Sequence, residues 1–484
     1  MSLTAPILVW FRGKDLRTSD HEPLCRAAAH GAMIPVFVLD PFFFEPTRAQ
    51  ALPHRMQFLL ESLVALRENL RAKGSDLILT KGRSIDRIPE LAARFGARLV
   101  FAHRWSEPFG VKRDAIVHAR LAEHGAKLKL FEGELLRPPG QARTADGGAF
   151  RVFTPFARAH LRLGPPPAAL AAPRRLPALP SVAVAASDAE IPTFAELGLV
   201  HNAYVLRGGE RAARARLRAF LAHGSDYASA RDCLGEEGTS RLSQDLKFGT
   251  LSVRSVWHAA EDAFTSTTLE RFWLELLWRS FHHENLVRQP ELLEQPFLSD
   301  FADFPWREDR ADLAAWQRGE TGYPVVDAAA RQLLATGYVH NRARMIAASF
   351  LTKHLLLPYA WGEAHYMKYL TDGDWAQNNG NWQWSAGCGT DAQPYFRIFN
   401  PITQGQKFDA NGRYVRAWLP ELARLENRWL HAPWLAPAEA LASAGITLGR
   451  TYPHPLVDHS KARARFLGVA KTHLRRGQSG GASA

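Results

Sequence analysis

Residues 372–391 read DGDWAQNNGNWQWSAGCGTD and gather three carboxylates, two adjacent asparagines and three tryptophans into twenty positions. Gly373, Gly380, Gly387 and Gly389 interrupt them at a density that an ordinary helix or strand does not tolerate, so the stretch reads as a built site. Trp375, Trp382 and Trp384 need burial or a stacking partner, and Asp372, Asp374, Asn378 and Asn379 need polar partners once they leave water. A large, flat, polar ring system meets both needs. An aromatic plug in a helical domain meets the first.

Outward from this stretch the C-terminal half is helical. Apolar spacing predicts helices over 210–223, 253–264, 268–287, 327–334, 338–357 and 362–370. The N-terminal part alternates instead. Short apolar runs at 7–10, 33–39, 76–80, 98–102 and 127–130 read as strands, with helical segments at 21–30, 54–73, 84–95 and 108–124 between them. Strict βα alternation predicts a parallel, doubly wound, Rossmann-like sheet, whose ligands bind beyond the carboxyl ends of the strands, here near 11–17, 40–44 and 103–107. Neither a GxGxxG after the first strand nor a Walker A sequence is present, which excludes a standard dinucleotide or triphosphate site. Residues 138–205 are rich in Pro, Ala and Leu, with Pro165, Pro166 and Pro167 in a row, and read as a long surface connector. The expected organisation is an α/β domain over 1–137, a linker over 138–205, an all-α domain over 206–470 and a flexible basic tail over 471–484.

At 484 residues, two cores are expected. Sixty Lys and Arg against 48 Asp and Glu give a net charge of +12 and make a polyanion the first partner to consider. Cys25, Cys233 and Cys388 are too few and too dispersed for a disulfide framework or a zinc site, which suits a reducing cytoplasm, and no apolar run is long enough to span a membrane. A cytoplasmic monomer is expected. Of 14 tryptophans only Trp10 and Trp105 precede residue 250, so whatever uses indoles lies in the C-terminal half.

Three further stretches carry chemistry. GTSRLS at 238–243 sets small hydroxylated residues ahead of a helix, an arrangement that grips phosphates, with Arg241 suited to a pyrophosphate. In WLELLWR at 273–279, Glu275, Trp278 and Arg279 share one helical face. In YVHNRARM at 338–345, Asn341, Arg344 and Met345 share a face from which Arg342 departs; a buried Arg344 requires a carboxylate, which Asp372 or Asp374 can supply.

GTSRLS, WLELLWR, TGYPVVDAAARQL, NRARM, DGD, NNGNWQW and GTDAQPYFRIFNP, in this order, resemble the photolyase and cryptochrome family, and within it the class I cyclobutane pyrimidine dimer photolyases. The resemblance runs from Trp10 to Trp418 and is densest over 227–422. It implies an α/β antenna domain, a linker and a helical FAD domain. It implies FAD held by Tyr227, Thr239, Ser240, Arg241, Leu242, Ser243, Phe272, Glu275, Arg279, Arg344, Asp372, Gly373, Asp374 and Asn378, with Asn378 facing the flavin N5. Glu275, Trp278, Asn341, Arg342, Met345 and Trp384 are implied to line the lesion pocket, and Arg342 and Arg397 to meet DNA phosphates. The implied reaction is electron donation from light-excited, fully reduced FAD to a pyrimidine dimer flipped out of DNA, with return of the electron after the ring splits.

This chain departs from the family pattern at several positions. Of the three residues that relay electrons to the flavin, Trp382 and Trp306 match the inner and outer tryptophans, but Tyr359 replaces the middle one, so slower photoreduction or a detour through Trp361 is expected. WFRGKDLR carries one residue more than the usual motif, and Lys247 in LKFG resembles members with a deazaflavin rather than a folate antenna, the second chromophore of this family. The principal alternative is a blue-light photoreceptor of the same fold without repair; an uncharged Asn378 and the complete lesion set favour repair. Repair of (6-4) photoproducts and a cofactor-free DNA-binding module explain fewer of the motifs.

Overall fold

Ile7–Phe11 (β1) is buried at all five positions, as a strand covered on both faces must be. Met33–Leu39 (β2) is buried throughout as well, and with Ile78–Lys81 (β3), Leu99–His103 (β4) and Lys127–Phe131 (β5) it completes a parallel sheet in the order β3-β2-β1-β4-β5. The structure, a computed structural model, describes residues 5–480, with side chains as far as 474. β5 alternates exposed and inward positions, and its Lys127 and Lys129 guard a sheet edge. The order reverses between β1 and β4, the switch point at which such sheets take ligands.

All five expected strands form, and the expected helices form within a few residues. Residues up to Ser225 cluster with Ser240–Pro290 in one compact unit, and Asp226–Thr239 cluster with everything from Glu291 in a second. The helices Glu210–His223, Val253–Glu261 and Ser266–Arg288, expected to open the helical domain, therefore sort with the sheet. Buried charge explains this. The Glu210 carboxylate accepts the backbone N–H groups of Thr18 and Ser19, Arg254 pairs with Asp20 at 2.8 Å, and Arg17 donates to the carbonyl of Gly249 at 3.0 Å. Gly249 is required: its φ is 61° and a Cβ would lie 1.9 Å from the Lys14 carbonyl oxygen.

The stretch expected as a connector is laid against the sheet, with Leu176 donating to the carbonyl of Lys73 at 2.8 Å and Leu170 to the Asp20 carboxylate at 2.9 Å. It also contains an unexpected helix, Phe153–Arg162, in which Phe153, Phe156, Ala157 and His160 turn one face inward. The prolines around it masked that short period.

The second unit packs Pro324–Thr336, Asn341–Ser349, Tyr359–Tyr369 and Trp375–Ala386 around a core that includes Phe350, Leu351, Trp316 and Trp382. The predicted helix over 338–357 is shorter, beginning at Asn341 with His340 as its N-cap and closing in a π-helical turn, Phe350–His354. The terminal helix His459–Gly480 continues past 470, where a flexible tail was expected; residues 481–484 of that tail lie outside the described residues. Among the described residues no helix is long and apolar enough to cross a membrane.

Four histidines are held neutral by burial, with pKa values lowered to about 3 for His103 and His354 and to about 4 for His340 and His365. Each folded value lies below the ordinary 6.5, so the stability they contribute is complete above pH 6.5 and is lost as pH falls toward 4. Melting temperatures followed by circular dichroism should fall steadily as pH drops from 6.5 toward 4. A level curve down to pH 4 would refute the assignment.

Candidate active site

The glycine-rich stretch 372–391 is regular over most of its length. Trp375–Ala386 is an α-helix, contrary to expectation, because only Gly380 lies inside it, at a cost of about 1 kcal/mol relative to alanine. Asp374 is its N-cap and accepts the N–H of Gln377 at 3.1 Å, while Gly387, at φ 93°, ends it in the left-handed region. The glycines punctuate the helix. Trp382 is buried and Trp384 half-buried, but Trp375, expected to be covered, is 41% exposed.

Within the second unit, the carboxylate that Arg344 requires is Asp372: the guanidinium donates to Asp372 Oδ2 at 2.9 Å and to the Val339 carbonyl at 2.7 Å. The other oxygen, Asp372 Oδ1, is buried with no hydrogen-bond partner, as is the Thr371 hydroxyl. Asn378 is buried, and its Nδ2 donates to the Glu363 carbonyl at 3.0 Å, which fixes the amide so that Oδ1 is the end left to accept. Asn379 donates to both Glu363 carboxylate oxygens, at 3.2 and 3.3 Å, and burial pushes the Glu363 pKa up to about 7. Gln383, one turn on, donates to the Leu292 carbonyl at 2.9 Å. Thr239 Oγ1 lies 3.3 Å from the Tyr338 hydroxyl, and Tyr227 is buried under the Arg231 guanidinium.

Asn341 donates to Met345 Sδ at 3.8 Å across one turn, so the two expected lesion contacts touch each other. Arg342 is engaged elsewhere, paired with Asp232 at 2.8 Å and lying over the Phe408 ring. Arg397 is exposed on the loop beyond Gly387, and its carbonyl accepts the buried Lys353 ammonium at 2.9 Å, a group whose pKa burial lowers to about 7.

The expected electron relay divides between two apolar clusters of this unit. Trp382 belongs to one, Trp306 packs on the other, and Tyr359 packs against both. Burial raises the Tyr359 phenol pKa. Trp361 carries the Arg310 guanidinium 3.7 Å from its ring centroid. Trp316, which sequence reading did not single out, meets Trp382 edge-on at 6.0 Å.

In the first unit, Leu242 occupies the N-cap of Ser243–Phe248 without a side-chain cap bond, so the hydroxyls of the GTSRLS motif do not serve as that cap. Arg241 adopts φ 51°, a left-handed conformation rare outside glycine. Arg279 is buried and donates to the Glu134 carbonyl at 2.6 Å, and its Nε has no partner. Phe272 packs with Phe220 and Phe264, and Glu275 and Trp278 are half-buried. Ends of strands hold further polar groups: the extra residue of WFRGKDLR accompanies a buried Lys14, paired with Glu107 at 2.9 Å and Glu134 at 2.5 Å. Beside them Phe42 and Phe109, both exposed, stack at 5.1 Å and offer a flat apolar surface of the kind a planar chromophore takes.

In the second unit the unmet Asp372 oxygen suits a ligand with ring or amine N–H groups, which FAD has. In the first unit the unmet Arg279 Nε suits an oxygen acceptor such as a phosphate. Glu363 and Trp316 in the second unit, and separately Phe153 in the first, were not anticipated from sequence; Glu363 was legible as the single carboxylate of an otherwise apolar and basic helix.

Residues 7–176 match the family described as DNA photolyase, and 272–472 the FAD binding domain of DNA photolyase. A deoxyribodipyrimidine photo-lyase of Agrobacterium fabrum is 40% identical over 96% of this chain and 98% of its own. Among solved structures, a class III photolyase from Agrobacterium tumefaciens superposes with TM-score 0.89 at 38% identity, covering 98% of this chain and 99% of that one. A Synechocystis cryptochrome superposes with TM-score 0.88 at 31% identity, covering 96% and 99%. The expected placement in class I is not upheld, since the similar photolyase structure is of class III. The chain belongs to the DNA photolyase family and carries that family's FAD-binding domain.

Proposed function

We propose that this protein is a light-dependent enzyme that splits cyclobutane pyrimidine dimers in DNA. The observation that carries the reading is the fixed amide of Asn378. With Nδ2 committed to the Glu363 carbonyl, Oδ1 is an acceptor, and an acceptor suits the N–H that flavin N5 bears when reduced. Reduced FAD, when bound, supplies the light-driven electron that opens the cyclobutane ring and receives it back.

The chain's own residues supply the rest. Asp372 and Arg344 orient polar ligand groups, Arg279 offers a buried donor to an oxygen acceptor, and Glu275 and Asn341 hydrogen-bond pyrimidine edges so that negative charge arriving there is stabilised. Trp278 and Trp384 stack on the extruded bases, and Arg397 meets a phosphate. The curated relative at 40% identity supports repair, whereas the cryptochrome likeness supports a photoreceptor.

Purified, reduced protein should restore intact thymines in an oligonucleotide with one thymine dimer under blue light and do nothing in the dark. Binding of that oligonucleotide without recovery would move the protein to the photoreceptor class. Asp372→Ala should lower the flavin-to-protein ratio and the urea unfolding free energy by about 2 kcal/mol, less than for a fully buried pair because Arg344 is 26% exposed. Unchanged values in both would remove the pair from the flavin site. Tyr359→Trp should speed photoreduction of the oxidised protein about tenfold, a barrier change of little more than 1 kcal/mol, and leave repair by pre-reduced protein unaltered. A rate equal to that of the parent would mean that electrons bypass position 359.

A further inference from the structure

The helix Phe153–Arg162 lies in the stretch whose composition suggested a connector, and the family resemblance gives it no part in the reaction. Its first residue, the buried Phe153, lies face to face on the indole of Trp278, with ring centroids 3.7 Å apart and planes within 9°. This contact is braced from several sides. Phe281 meets Phe153 edge-on at 5.9 Å and Phe156 at 5.2 Å. His160 Nε2 lies 3.3 Å from the Glu284 carboxylate, whose other oxygen accepts the N–H of Gly140 at 3.1 Å, and Arg288 donates to the Phe150 carbonyl at 3.2 Å. Trp278 nevertheless remains half-buried, so part of its ring is open to solvent.

We propose that Phe153 is the positioning residue of Trp278: it closes one face of the indole, fixes the plane of the ring and lets DNA bases stack from one side only. The inference rests on reading Trp278 as a lesion contact. Two parallel rings at 3.7 Å leave no slot between them, because an inserted base needs a stacking distance on each of its own faces. A flat, undamaged base thus loses the slot between Phe153 and Trp278 and keeps only the outer face of the indole. A dimer, whose saturated and linked rings are no longer flat, has only an outer surface to offer and loses little. The stack therefore sets discrimination as well as orientation, and Phe153 acts through Trp278.

The test compares holoenzymes carrying Phe153→Leu, Phe153→Tyr and Trp278→Ala with the parent. Affinity is measured for an oligonucleotide with one thymine dimer and for its undamaged twin, alongside repair per photon at saturating dimer, flavin content and melting temperature. Phe153→Leu should bind the dimer about fivefold more weakly and narrow the ratio of dimer to undamaged affinity, with repair at saturation and flavin content unchanged. Phe153→Tyr, which keeps the ring, should restore both affinity and ratio. If Trp278→Ala loses dimer affinity while Phe153→Leu binds both oligonucleotides as the parent does, the positioning role is overturned and the lesion contact stands. If Phe153→Leu weakens both oligonucleotides equally and melts lower, Phe153 is a packing residue and the proposal is overturned. If Trp278→Ala binds the dimer as the parent does, the lesion reading itself falls and takes the proposal with it.

Discussion

The ion pair of Arg344 with Asp372 is the constraint on which the chemistry of the second unit depends. A guanidinium taken into a helical interior without a carboxylate is strongly destabilising, so the helix Asn341–Ser349 and the turn before Trp375–Ala386 are held in register with each other. Everything else follows from helical periodicity. Arg344 fixes the rotation that aligns Asn341 with Met345, and Asp372 sits two residues before the Asp374 cap that starts the helix of Asn378, Trp382 and Trp384. Asn378 and Trp382 then fall one turn apart on the same side, next to the stripe of Asn379 and Gln383 that Glu363 and Leu292 hold.

Much of this was legible because its signals are local. Parallel strands announce themselves as short apolar runs, and the requirement for a carboxylate beside Arg344 can be stated from charge alone. The glycines of residues 372–391 misled for an equally local reason. Composition counts them, whereas their effect depends on position: one inside a helix is tolerable, and one just past its end is favourable. The helix Phe153–Arg162 and the sorting of Glu210–His223, Val253–Glu261 and Ser266–Arg288 with the sheet were not legible, since both depend on partners far along the chain. Nothing near Glu210 says that its carboxylate will cap the amides of Thr18 and Ser19.

In the electron relay that the family resemblance implies, a tyrosine at position 359 redistributes the function. A buried phenol whose pKa burial raises holds its proton more firmly, and without losing that proton tyrosine is a poorer electron donor than the indole usual at this position. Trp361, the neighbour that sequence offers as a substitute, is handicapped by the Arg310 guanidinium on its face, because a fixed positive charge at 3.7 Å opposes a second positive charge on the ring. Among the described residues no guanidinium lies over the ring of Trp316. It is buried, meets Trp382 edge-on and hydrogen-bonds the Ala347 carbonyl at 3.2 Å through its ring N–H.

On the proposed reading, net positive charge and stacking divide the work of recognition. A charge of +12 supplies attraction to any nucleic acid, and that attraction weakens with salt and carries no information about damage. Arg342 adds less to it than its charge suggests. Its guanidinium already has Asp232 at 2.8 Å and the Phe408 ring beneath it, so a phosphate would have to displace a carboxylate of equal charge for little net gain. Arg397 starts exposed and faces no such exchange. On the proposed reading, discrimination comes from groups whose geometry is fixed before DNA arrives, and the indole of Trp278, held flat against Phe153, is one such group.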